Sequence, residues 1–227
     1  QHHGHIRTWE YPVQHKLSIL LLVGHHMKIM CMNNMEMMDL FSVPISEKTF
    51  DFDLAEIQYH CYCKREIDCG NNVSNVNGWQ SSRFKVDDSP LDYFFDEILV
   101  NAKEFAEKIS IKSNLTMDAA WININGPGAY NQVHDHPGCV LSGVFYAKAP
   151  ENCGNIEFRN PSISKMERDW SHVTEEYNQY NSQVWRFIPK ENTMYMFPSW
   201  LEHQVIANNS GEDRISISFN ISVPRVT

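Results

Sequence analysis

Residues 129–146 read AYNQVHDHPGCVLSGVFY. Two histidines and an acid occupy three successive positions, His134, Asp135 and His136, before Pro137 and a strand-like run. In an extended segment, side chains at i and i+2 leave the same face, so His134 and His136 can meet one metal ion while Asp135 turns away. A proline favours extended geometry at the residue before it, which supports that phase at His136. A bulge ahead of Pro137 would swing Asp135 inward instead. His136 is therefore the expected partner of His134, with Asp135 as the alternative.

The flanking sequence sets the fold expected around this segment. From about residue 115 to 223 the chain is a series of short β-rich runs: MDAAWININ, VLSGVFYAKAP, NIEFRNP, SQVWRFIP, NTMYMFPSW, HQVIANN and RISISFNISV. Gly, Pro or Asn turns separate them. Such a series predicts a sandwich or barrel. The stretch MERDWSHVTEEYNQYNSQ within it reads as a loop.

Ahead of it, residues 89–109 predict one long helix. Ser89 is placed to cap it and Pro90 suits its first position. Leu91, Phe94, Phe95, Ile98, Leu99, Ala102, Phe105, Ala106 and Ile109 recur at three and four, giving one apolar face to lay on a sheet. LFSVPISEKTF near residue 41 predicts a short strand, residues 51–60 a helix, and CKREIDCGNNVSNVNGWQSS a loop. The expected layout is mainly β with N-terminal helices, in a single domain over 27–227.

Residues 1–26 stand apart. They hold six of the eleven histidines, and Met27 opens a run of six methionines in twelve residues. The apolar run Leu17 to Val23 is too short to span a bilayer, and no small-residue cleavage site follows it. This segment is expected to be a non-native or disordered extension. The net charge of −9 argues against nucleic acid, whose phosphates need a basic face. Six cysteines in 227 residues are too sparse for a disulfide framework, and Cys61, Cys63 and Cys69 lack the second pair of a zinc finger. Free thiols in a reducing compartment, the cytoplasm, are expected.

Three further residues bear on chemistry. His203 closes FPSWLEH, and a third imidazole from a distant strand would complete a facial set with open positions. Arg214 follows eleven residues later, and Ser216 shares its strand face. A guanidinium clamps a carboxylate bidentately and a nearby hydroxyl adds a hydrogen bond. A metal beside such a clamp suits a metal-chelating dicarboxylic cofactor.

Taken together, HDHP with SGVFY, then MFPSWLEH, then RISISFN resembles the Fe(II)- and 2-oxoglutarate-dependent oxygenases. The nearest pattern is that of a bacterial and phage branch with the core WxN…PGxxNxxHxHPxxxxSGVxY. LFSVPI and WQSS (79–82) resemble that branch's N-terminal marks, so the likeness runs over about residues 40–223.

The resemblance implies a double-stranded β-helix, a jelly-roll or cupin-like core. It implies Fe(II) held by His134 and His203, and Arg214 with Ser216 on the far carboxylate of 2-oxoglutarate. It also implies cosubstrate contacts from Asn123 and Tyr146. The implied reaction is hydroxylation of a C–H bond with release of succinate and CO2, on an unidentified small molecule or protein. The usual superfamily pattern is His-x-Asp, whereas here the residue two after His134 is His136. A cupin-like metal protein with three histidines, a thiol dioxygenase or isomerase that does not use 2-oxoglutarate, is the alternative. Trp121, Tyr130, Phe145 and Trp200 are candidate pocket walls.

Overall fold

The computed structural model describes residues 37–86, 89–111 and 114–224. The chain divides into two compact units, Gln1–Phe41 and Ser42–Thr227. Of the first unit only residues 37–41 are described, and these carry no helix or strand. The extension expected over residues 1–26 and its boundary at Met27 lie outside the described residues.

The second unit opens with β1 (Ser46–Thr49), α1 (Leu54–Ile67), β2 (Asn75–Val76), β3 (Trp79–Gln80) and α2 (Asp92–Lys108). Then come β4 (Thr116–Asn125), β5 (Tyr130–His134), β6 (Leu141–Lys148), β7 (Ile156–Arg159), α3 (Ile163–Trp170), β8 (Val184–Phe187), β9 (Thr193–Pro198), β10 (His203–Val205) and β11 (Arg214–Ser222). The strands form two sheets, a six-stranded one ordered β1-β9-β6-β11-β4-β3 and a five-stranded one ordered β2-β5-β10-β7-β8. All these pairings are antiparallel. From β4 to β11 successive strands fall in opposite sheets, except that β7 and β8 are neighbours in the smaller one, and this is the double-stranded β-helix.

Local chemistry sets the helix ends. Asp53 caps α1, its carboxylate accepting from the backbone N–H groups of Ala55 (2.9 Å) and Glu56 (3.2 Å). α2 starts later than its sequence suggests. The Ser89 hydroxyl accepts from the N–H of Leu91, so it caps the turn through Pro90, and the helix begins at Asp92. α1 runs to Ile67, into the stretch expected to be loop. α3 occupies part of the other expected loop. It buries only Met166, so little of it joins the core.

β11 carries the alternation that organises the interior. Ile215, Ile217, Phe219 and Ile221 enter the larger core, together with Ile57, Phe94, Phe95 and Ile98 of the helices and Phe145 of β6. Arg214, Ser216, Ser218 and Asn220 take the opposite phase, toward the other sheet. A smaller apolar cluster of Val144, Tyr146, Ile156, Phe158, Tyr195, Phe197 and Leu201 lies between the sheets.

Gly143 is needed where it stands. A Cβ there would collide with the Phe219 ring, with Cε2 only 2.6 Å away. Phe94, fully buried, meets Phe145 edge-on at 4.9 Å and Phe95 at 4.9 Å. Phe94→Ala is expected to cost about 3–5 kcal/mol of stability, read from urea unfolding. A loss below about 1 kcal/mol would mean that the helix does not anchor on the sheet through this ring.

No helix among the described residues is long and apolar enough to cross a membrane. Cys61, Cys63, Cys69 and Cys153 are free thiols.

Candidate metal centre

Antiparallel pairing brings the three histidines together. His134 ends β5, His203 begins β10, and the two are register partners. His136 stands two residues past the end of β5, in a segment hydrogen-bonded to the chain just after β9. Its N–H donates to the Ser199 carbonyl at 2.8 Å, and the Ser199 N–H donates to the Val140 carbonyl at 3.2 Å. One ligand atom from each of the three imidazoles falls within 4.8 Å of the others. The ring centroids are 4.4 to 5.1 Å apart, and the Nε2 atoms of His136 and His203 are 3.4 Å apart.

Backbone carbonyls orient two of the rings. His134 Nδ1 lies 2.7 Å from the Gln132 carbonyl, and His203 Nδ1 lies 2.9 Å from the Leu201 carbonyl. An Nδ1–H donated to a carbonyl leaves Nε2 as the lone-pair nitrogen, the arrangement a metal-binding histidine uses.

The rings are also kept neutral. Burial pushes the His203 imidazole down to about 3, with His134 adding to the effect and the Leu201 carbonyl opposing it. Burial, then His134, then Arg83 push His136 down to about 4. His134 is lowered by burial as well, against the Gln132 carbonyl and Asp135. Asp135 itself is exposed. Among the described residues no carboxylate joins the cluster.

A narrow cavity opens beside the cluster, lined by Trp121, Asn123, Asn131, Ser216 and Ser218 among others. Asn123, Ser216 and Tyr146 form one row across β4, β11 and β6, each the register partner of the next. Arg214 lies two residues further along the same face. It does not border the cavity, nor does Tyr146. Of the four aromatics expected as pocket walls, Trp121 lines the cavity and Tyr130, Phe145 and Trp200 do not. Phe145 has the opposite phase and packs in the helix-side core, whereas Trp200 is 54% exposed.

Arg214 is 1% exposed. Its Nη1 donates to the backbone carbonyls of Cys153, Gly154 and Ile206. Gly154, at φ +94°, leaves room for it, since a Cβ there would lie 2.8 Å from Nη1 and would strike the Ile206 carbonyl. Nη2 has no hydrogen-bond partner, and neither do the buried Tyr146 hydroxyl and Asn123 Oδ1. Among the described residues no carboxylate pairs with Arg214. Burial lowers its pKa, and a buried, unpaired cation is costly. An anion reaching Nη2 would relieve that cost. The donor set therefore fits a divalent metal at the imidazoles and a carboxylate toward Arg214.

Residues 119–220 match the family described as "Putative 2OG-Fe(II) oxygenase". That description names Fe(II) and 2-oxoglutarate as the cofactors. No curated protein matches the chain. Among solved structures, the chain is similar to a Pseudomonas putida prolyl-4-hydroxylase, with a TM-score of 0.60, 11% identity, and coverage of 81% of this chain and 95% of that one. It is also similar to HygX from Streptomyces hygroscopicus, solved with nickel and 2-oxoglutarate bound (TM-score 0.55, 9% identity, covering 82% and 85%). A third is SnoN, a non-heme α-ketoglutarate-dependent epimerase from nogalamycin biosynthesis (TM-score 0.57, 12% identity, covering 79% and 76%). At these identities the three likenesses establish the double-stranded β-helix fold.

Proposed function

We propose that the chain is an Fe(II)- and 2-oxoglutarate-dependent oxygenase that hydroxylates a C–H bond of its substrate. The observation that carries this reading is the convergence of three imidazoles beside an inner sheet face that holds a buried guanidinium with no carboxylate partner among the described residues. His134, His136 and His203 would hold the iron, each through one imidazole nitrogen. With iron and cosubstrate bound, the site supplies oxidative decarboxylation: substrate C–H, 2-oxoglutarate and O2 give C–OH, succinate and CO2.

The protein's part is placement. The carbonyls of Gln132 and Leu201 hold two ligand rings, and the Ser199 carbonyl holds the backbone of the third. Arg214, with Ser216 in the row beside it, binds the far carboxylate of 2-oxoglutarate. Tyr146 and Asn123 offer that molecule a hydroxyl and an amide. The sheets exclude bulk water from this face, which strengthens charge-assisted hydrogen bonds there.

With three neutral ligands, the charge of the iron is balanced by the cosubstrate rather than by a protein carboxylate. Asp135, exposed beside His134, then acts on the ligands only from outside. Asp135→Ala is expected to retain iron and to lose activity by about 10-fold, within the roughly 10–100-fold range seen when a group behind the metal ligands is changed. Iron affinity measured for this variant beside His136→Ala checks the assignment, and loss of metal from the aspartate variant alone would reverse it.

The absence of a carboxylate ligand also suits a three-histidine metal protein that makes no use of 2-oxoglutarate. Anaerobic Fe(II) titration separates the two readings. A visible charge-transfer band that appears only when 2-oxoglutarate is added supports the oxygenase. The same spectrum with and without 2-oxoglutarate rejects it.

A further inference from the structure

The stretch that follows β3 along the large sheet carries a cation, Arg83, one aromatic ring away from the histidine cluster. The chain after β3 continues alongside β4. Ser81 donates its N–H to the Ile122 carbonyl at 2.9 Å, and Phe84 exchanges both backbone hydrogen bonds with Ala120 at 3.0 and 3.2 Å. The Phe84 ring packs toward α2, meeting Phe95 at 6.0 Å, so its neighbour Arg83 points to the other face. There the guanidinium carbon lies 5.6 Å from the centre of the Trp121 ring. Trp121 lines the cavity, and its ring centre is 5.5 Å from that of His136. The order is thus guanidinium, indole, ligand imidazole.

Arg83 is exposed, and among the described residues it has no carboxylate within salt-bridge distance and donates no hydrogen bond. In a chain of net charge −9, a cation left unneutralised is available to an incoming anion. The cosubstrate does not require it, because its far carboxylate is assigned to Arg214 on the buried inner face. An indole under a guanidinium holds the fork in one plane while leaving its edge N–H groups free, and that edge matches a carboxylate. One guanidinium in an acidic protein suits a single carboxylate better than a polyanion.

We propose that Arg83, held on Trp121 at the mouth of the metal site, docks a carboxylate of the prime substrate and thereby selects a carboxylic acid as the molecule oxidised. This rests on the oxygenase reading for the meaning of "prime substrate", but the anion site can be tested without turnover.

The experiment uses the full chain loaded with redox-inert Zn(II) and saturated with 2-oxoglutarate, and labelled with 15N-arginine. The Arg83 Nε–H resonance is assigned by its loss in Arg83→Gln. The probes are N-acetyl-L-amino acids, each as the free acid and as its amide. At least one acid is expected to shift the resonance saturably, with its amide binding about tenfold or more weaker, as loss of a charge-assisted hydrogen-bond pair requires. Arg83→Gln should weaken that acid, followed through the backbone amide resonances, by a similar factor of about ten, and Arg83→Lys should weaken it less.

The proposal is overturned if no acid moves the resonance, if acid and amide bind alike, or if Arg83→Gln binds the acid as the parent does. It is also overturned if Arg83→Gln weakens 2-oxoglutarate as much as the probe, since Arg83 would then belong to the cosubstrate. A failure of Zn(II) or 2-oxoglutarate to load is seen in their own titrations and counts against the oxygenase reading alone. The probe titration is repeated on metal-free protein, where the Arg83 resonance should again shift with the acid and not with its amide, and the same outcomes overturn the proposal.

Discussion

His203→Ala is expected to remove tight iron binding and, with it, all conversion of 2-oxoglutarate to succinate. His203 is 5% exposed, its Nδ1 is fixed on the Leu201 carbonyl, and it faces both other imidazoles. On the proposed assignment, removing it takes away a direct metal bond. Changing the partners behind metal ligands already costs about 10–100-fold in metal affinity, so the loss here should be on the order of a hundredfold or more. His136→Ala should behave similarly, because its Nε2 lies 3.4 Å from that of His203. His172, exposed in the segment between α3 and β8, provides the control, and His172→Ala should bind iron as the parent does. Iron affinity by anaerobic titration, with succinate as a second readout, checks all three. Parental turnover in His203→Ala would remove the histidine from the centre.

The second large effect concerns Arg214. Arg214→Gln is expected to weaken 2-oxoglutarate by roughly 1.5–3 kcal/mol, the worth of a charge-assisted hydrogen bond to a buried carboxylate. Iron affinity should move far less. That contrast is needed because Arg214 also bonds three backbone carbonyls through Nη1, so any substitution disturbs the loop through Cys153 and Gly154. A variant that loses iron and 2-oxoglutarate in parallel would mark the guanidinium as a strut of the fold. A variant that keeps iron and loses 2-oxoglutarate marks it as the clamp.

Much of this arrangement was legible in the chain because it depends on short-range periodicity. The i, i+2 spacing of His134 and His136 and the alternation of Arg214, Ser216 and Ser218 with Ile215, Ile217 and Phe219 state which faces they occupy. β5 ends at His134, however. The orientation of His136 owes as much to the Ser199 carbonyl, far along the chain, as to strand alternation. Features set by long-range packing were not legible. Phe145 and Trp121 look alike as aromatics near the motif, and only the sheet phase sends one to the helix-side core and the other to the cavity. The two-residue strands β2 and β3 carry too few residues for any pattern, and so they read as loop. Arg83 directly follows that stretch, and its partner ring lies a whole helix further along the chain, so no local signal linked it to the histidines.

The His134–His203 register has a mechanical consequence. β10 is three residues long, and its pairing with β5 shifts register between His203 and Val205. A metal gripping both histidines would act as a removable rivet across this weak seam of the smaller sheet. Mass action then ties the seam's integrity to the free metal concentration, adding about 2.7 kcal/mol to folding when the metal stands at roughly a hundred times its Kd. Withdrawing the metal should speed hydrogen exchange of the β5 and β10 amides first, while the long β4–β11–β6 ladder stays protected. Iron supply would thereby govern how long the protein survives as well as whether its site is charged.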